Sequence, residues 1–137
     1  MKKIITLLFI ALVSTSITFA QNNSTKKADK LFDRLEYVKA AEEYLKLADK
    51  SPDNYIIERL ADSYYNIFNT REAEKWYSKI IDDEPDAEVI FRYSEMLKAN
   101  GKYKESNVWM SKFSEMKPYD TRAIAFRNAP NLSLIHI

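Results

Sequence analysis

The sequence predicts an all-α fold, a helical-repeat solenoid of three helix pairs followed by part of a seventh helix. Three observations predict it. Pro52, Pro85 and Pro118 stand 33 residues apart. Matched side chains travel with them: Ala40, Ala73 and Ser106 precede the prolines at one offset, Tyr44, Tyr77 and Met110 at a second, Leu47, Ile80 and Phe113 at a third. Between prolines the apolar residues recur at helical spacing and do not alternate. A fixed period that keeps small and large apolar positions in register marks units that stack to bury a core none could bury alone.

The middle unit, 54–86, shows the pattern most clearly. From Asn54 to Phe68, apolar residues fall at Ile57, Leu60, Ala61, Tyr64, Ile67 and Phe68, one stripe of a helix. Asn69-Thr70 breaks it, and Thr70 is the expected N-cap of a second helix, with Glu72 and Glu74 near its positive end. That helix presents Ala73, Trp76, Tyr77, Ile80 and Ile81 and ends in Asp82-Asp83-Glu84, before Pro85 and Asp86 open the next unit. The first unit, 21–53, carries Ala28, Leu31 and Leu35 on one helix, then Tyr37, Ala40, Ala41, Tyr44 and Leu47 on the second. The third, 87–118, carries Ile90, Tyr93, Ser94 and Leu97, then Gly101, Tyr103, Val108, Met110 and Phe113. Gly101, the only glycine, follows Ala99-Asn100, where a helix end takes a left-handed residue. Residues 119–131 begin a further helix or linker, with Ala123, Ile124 and Phe126 after Asp120 and before Pro130.

The two ends read differently. Residues 1–20 have the form of a secretory signal peptide: Lys2 and Lys3, an apolar run from Ile4 to Val13, and small residues at Thr18 and Ala20 before a cut. The run is too short for a bilayer span, which needs about 20 apolar residues. Cleavage would leave Gln21 as the first residue of an exported chain. Residues 132–137, Leu-Ser-Leu-Ile-His-Ile, match the translation of a constant transposon end used in sequencing libraries, and they are set aside as an artefact.

Composition excludes several kinds of chemistry. The chain has no cysteine, so an exported fold must hold by packing alone. Its one histidine, His136, falls in the tail that was set aside. Thiol catalysis, histidine bases and the commonest metal sites go with them, and no catalytic residue, cofactor or metal is expected. The carboxylates Asp82, Asp83, Glu84 and Asp86 lack calcium-loop spacing. Lys plus Arg number 21 against 20 acidic residues, which favours neither nucleic acid nor direct membrane attraction.

These residues resemble the tetratricopeptide repeat family. The resemblance rests on Leu60, Ala61 and Tyr64 on one helix and Ala73, Tyr77, Ile80 and Pro85 on the next. The third unit adds Gly101, Tyr103 and Pro118, and the first Ala28, Ala40, Tyr44 and Pro52. The period of 33 is one short of the family's usual length, and Ser106 replaces an alanine. The resemblance implies a right-handed superhelix, with the first helix of each pair lining a concave groove. On that face lie Asp29 and Phe32, then Tyr55, Glu58, Arg59, Asp62 and Tyr65, then Phe91, Arg92 and Glu95. Aromatic rings among charges suit a peptide partner. Family members that grip chaperone carboxylate termini use lysine and asparagine where this chain has Glu58 and Asp62, or Thr25 and Asp29. A basic or neutral segment therefore fits better.

With its export signal, the chain also resembles the N-terminal region of OmpA-family envelope proteins. That resemblance implies a protein-interaction module at the periplasmic face of the outer membrane. Its partner would be another envelope protein, a peptide segment or downstream domains of its own chain. Two alternatives stay open: a spacer that binds nothing, and an accessory region of an enzyme whose catalytic part lies elsewhere.

Overall fold

The computed structural model describes residues 24–129. The signal-peptide reading of 1–20 and the artefact reading of 132–137 both fall outside the described residues. Residues 24–33 form helix α1. It is followed by α2 (Tyr37–Lys50), α3 (Asn54–Asn66), α4 (Thr70–Tyr77), α5 (Ala87–Ala99), α6 (Tyr103–Met116) and α7 (Thr121–Asn128). Among the described residues there is no strand.

Each helix from α2 onward packs against the next in chain order. Side chains also join the odd-numbered helices laterally: Tyr55 of α3 bonds Asp29 of α1, Arg92 of α5 bonds Asp62 of α3, and Arg122 of α7 bonds Glu88 of α5. The odd helices thus form one layer, backed by the even helices.

Small residues let the two layers meet closely. Ala28 faces the first hairpin's core with Ala40, Ala61 the second's with Ala73, and all four are essentially inaccessible. The third hairpin carries serine at both equivalent positions, Ser94 and Ser106. Both are buried, and the Ser106 hydroxyl donates to the Ser94 carbonyl at 2.8 Å. That bond is why serine is tolerated where alanine is the rule, since a buried hydroxyl without an acceptor would be costly. Around these pairs pack Tyr44, Leu60, Tyr77, Ile90, Leu97 and Phe113, all fully buried.

The turn inside each hairpin repeats one geometry. The amides of Leu35, Phe68 and Gly101 donate to Phe32, Tyr65 and Lys98, and those of Glu36, Asn69 and Lys102 donate to Leu31, Tyr64 and Leu97. This is the paired closure of a helix end through a left-handed residue. The residue in that conformation is Leu35 (φ 61°), Phe68 (φ 57°) and Gly101 (φ 81°). Leu35 and Phe68, placed on helical stripes by the sequence pattern, are therefore turn residues, 69% and 72% exposed. A Cβ atom costs about 1–2 kcal/mol in this conformation, because it crowds the following carbonyl oxygen. Phe68→Gly is expected to raise stability by up to about 1 kcal/mol, because strain relief exceeds the extra chain entropy of glycine. A urea titration with a lower midpoint for the variant would contradict this.

Other expectations need correction. The N-cap of α4 is Asn69, whose side chain accepts from the Glu72 amide, and Thr70 is the first helical residue. Helix α4 ends at Tyr77, short of Ile81. The Ser78 hydroxyl donates to the Lys75 carbonyl, and the Lys79 amide turns to Trp76 instead. The chain then continues in tighter turns that still bury Ile80 and Ile81. Tyr103 and Val108 are not core: they are 63% and 66% exposed. Tyr37 packs edge-on against Phe32 at 5.1 Å, but the residue one repeat-step on from Tyr65 is Lys98, so Tyr103 has no ring to meet there. Of the repeat prolines, Pro52 and Pro118 are exposed and Pro85 half-buried, while Tyr64 packs half-buried against the core.

Candidate functional site

The face formed by α1, α3 and α5 is built from residues one helical turn apart, and the structure shows what each one touches. Asp53 caps α3 by accepting from the Ile56 amide at 2.9 Å, which fixes where the helix starts and therefore its facing side.

Asp29 accepts from the hydroxyls of Tyr44 and Tyr55, the latter at 2.7 Å. Burial works to raise its pKa, but hydroxyls from Tyr44, Tyr55 and Thr25, with the Arg59 charge, hold the carboxyl below its ordinary value. Asp62 repeats the arrangement one unit on. It accepts from the Tyr77 hydroxyl at 2.6 Å and from Arg92 Nη1 at 2.7 Å, and it is buried. In the third unit Met110 replaces the tyrosine, and Glu95 accepts instead from Tyr65 of the preceding unit at 2.6 Å.

The guanidinium groups cover the rings. Arg59 lies 4.5 Å from the centre of Phe32 and 5.5 Å from that of Tyr55. Arg92 lies 5.5 Å from Tyr65. Arg122 lies 4.2 Å from Phe91 and 4.9 Å from Phe113. Such contacts contribute about 0.5–2 kcal/mol each, more where water is excluded. Among the described residues no buried side-chain polar atom lacks a partner.

All ten predicted groove residues are thus on one layer, but most of their polar groups are bonded to one another. Asp62 belongs to the interior. Arg59 and Arg92 brace ring faces, and Tyr55 remains 46% exposed. Glu58 stands apart: it is half-buried, and it has no hydrogen bond or ion pair among the described residues. Burial, with the charges of Asp62 and Asp86, pushes its carboxyl pKa above the ordinary value.

A raised carboxylate pKa means the folded state prefers the neutral form. The stability linked to Glu58 is fullest below its unfolded pKa and is lost as pH rises through the folded one. Glu58→Gln is therefore expected to raise the melting temperature at pH 7 and to change it little at pH 3. A fall at pH 7 would contradict the assignment.

Sequence reasoning missed three contributors. Tyr44 and Tyr77 were assigned to the core alone, yet their hydroxyls reach Asp29 and Asp62. Their separation of 15 residues in both units was the available signal. Arg122 was not singled out. It bonds Glu88 through both terminal nitrogens at 3.1 and 3.0 Å and also Asp120, whose carboxyl it pulls down to about 2. With Asp86, Phe113 and Lys117, these groups line a depression at the α7 end of the face.

Comparison with solved structures matches this architecture to the second tetratricopeptide repeat domain of human RPAP3, determined by NMR in complex with the HSP70 peptide SGPTIEEVD. The TM-score is 0.67 at 22% identity, over 79% of this chain and 92% of that one. No family model matches the chain. No curated protein matches it either. At this identity the likeness establishes the fold: an all-helical tetratricopeptide-type repeat array.

Proposed function

We propose that the chain is a protein-interaction module whose odd-helix face receives a peptide segment of a partner. One observation carries this reading: in the first two turns of α3, Tyr55 keeps a ring 46% exposed although its hydroxyl bonds Asp29, and Glu58, one turn on, has no hydrogen bond or ion pair among the described residues. The RPAP3 domain, similar in fold, was solved with a peptide bound, which supports a peptide partner for this architecture. The signal-like segment 1–20 supports an envelope location, with the mature chain beginning at Gln21. The partner would then be another envelope protein or a further domain of the same polypeptide, as in the OmpA-family proteins that the sequence resembles.

The spacer reading draws on a separate observation: the lateral bonds that join α1, α3, α5 and α7 stiffen the array without any ligand. One experiment separates the two. A photo-cross-linking amino acid at position 55, in the full chain expressed with its leader, should trap a defined partner segment identified by mass. The same group at position 42, exposed on α2, should not. Equal trapping at both positions, or none at position 55, would favour the spacer. Intact mass of the exported protein should show Gln21 at its start.

A further inference from the structure

The groove's polar groups fall into two classes. Asp29, Asp62 and Glu95 stand 33 residues apart and accept tyrosine hydroxyls; they belong to the repeat itself. Glu58 does not. One period earlier stands Thr25 and one period later Phe91, so no repeat rule places a carboxylate there.

The cations close to Glu58 in the array are engaged elsewhere. Arg59 stacks on Phe32 and donates weakly to the Tyr55 hydroxyl at 3.4 Å. Arg92 is bonded to Asp62 and sits 3.6 Å from Glu88. The other charges acting on Glu58 include those of Asp62 and Asp86, both negative. The Arg59 and Arg92 charges offset burial and these carboxylates only in part, so a half-buried Glu58 weakens the fold at neutral pH, and the expected gain from Glu58→Gln measures by how much. A destabilising group outside the structural pattern is what a binding position looks like, since function and stability compete at such sites.

We propose that the odd-helix face selects a lysine- or arginine-bearing stretch of peptide, with Glu58 receiving the basic side chain. This rests on the groove reading above. The parts of the Tyr55 ring on α3 and of the half-buried Phe91 on α5 that Arg59 and Arg122 leave uncovered offer apolar surface for the stem of that side chain, while its charged head meets the carboxylate. An acidic segment or a free C-terminal carboxylate would meet like charge at Glu58 and Glu95, which works against it. The ligand preference is thus opposite to that of the HSP70 peptide held by the RPAP3 domain, whose last residues include two glutamates and an aspartate.

The test is fluorescence anisotropy with the full chain and two probes. One is a labelled, C-terminally amidated peptide alternating lysine with leucine and alanine; its twin carries glutamate at every lysine position. The lysine peptide is expected to bind at least about tenfold tighter than its twin, equivalent to about 1.4 kcal/mol. Glu58→Lys should reverse the preference. Glu58→Gln should abolish it without reversal, and Glu42→Lys on α2 should leave it unchanged. Circular dichroism confirms that the variants are folded. Equal affinity for both peptides, or equal losses from Glu42→Lys and Glu58→Lys, would overturn the proposal. If the lysine peptide binds wild type and the Glu58 variants alike, while Tyr55→Ala abolishes binding, the groove stands and the role of Glu58 falls. If neither peptide binds and position 55 traps no partner, the groove reading itself fails.

Discussion

Asp62→Ala is expected to remove about 3 kcal/mol of folding stability, the lower end of what breaking a buried ion pair costs. The side chain is buried, and it accepts from Tyr77 and Arg92 at 2.6 and 2.7 Å. Without it, the Tyr77 hydroxyl loses its carboxylate acceptor in a fully buried site, and of its ion pairs Arg92 keeps only the longer approach to Glu88. Arg92 retains some access to water, which keeps the penalty from the upper end of the range. Tyr77→Phe should cost less, about 1–1.5 kcal/mol, because the carboxylate keeps its guanidinium partner. The double variant should lose less than the sum, since both substitutions break the same network. Small domains are stable by only about 5–15 kcal/mol, so urea unfolding will show the loss plainly. A shift below about 0.5 kcal/mol, the usual size for a surface position, would mean the network is not structural.

Phe113→Ala is expected to cost about 3–5 kcal/mol, with the damage concentrated at the α7 end. Phe113 is fully buried, lies 5.2 Å from Phe91 between ring centres, and carries the Arg122 guanidinium over its face. Removing the ring opens a cavity between α5 and α6 and takes away one of the two surfaces that seat Arg122. Helix α7 packs on α6, and its one fully buried residue is Ala123, so it should loosen first. Hydrogen exchange should show lost protection at Ala123 and Phe126 before any change at Leu60 or Ala61. Uniform loss along the chain would show that the array unfolds as one unit.

How much of this was legible before the structure depends on the kind of contact. The 33-residue register of Pro52, Pro85 and Pro118 fixed the hairpins and the small-residue pairs, because those follow from periodicity alone. Leu35 and Phe68 were misread as stripe members, since nothing in a leucine or a phenylalanine announces a left-handed backbone. Their spacing to Gly101 did carry that message, and only the glycine was heeded. The groove residues could be placed on one face by counting turns. Their bonding could not, because whether Tyr55 reaches Asp29, or Arg92 reaches Asp62, depends on the lateral offset of neighbouring helices. Val108 and Tyr103 failed for a related reason: their burial depends on what lies beside α6, not on their own helix.

The proposed module meets its partner with the odd-helix face, which the lateral bonds brace and the even helices back. Amide chemical-shift mapping of the isotopically labelled chain during titration with the lysine-bearing peptide tests this most directly. Perturbations are expected to concentrate at Asp29–Phe32, Tyr55–Tyr65 and Phe91–Glu95, largest around Glu58. Perturbations centred on the exposed faces of α2, α4 and α6, or none along α3 at saturation, would contradict it.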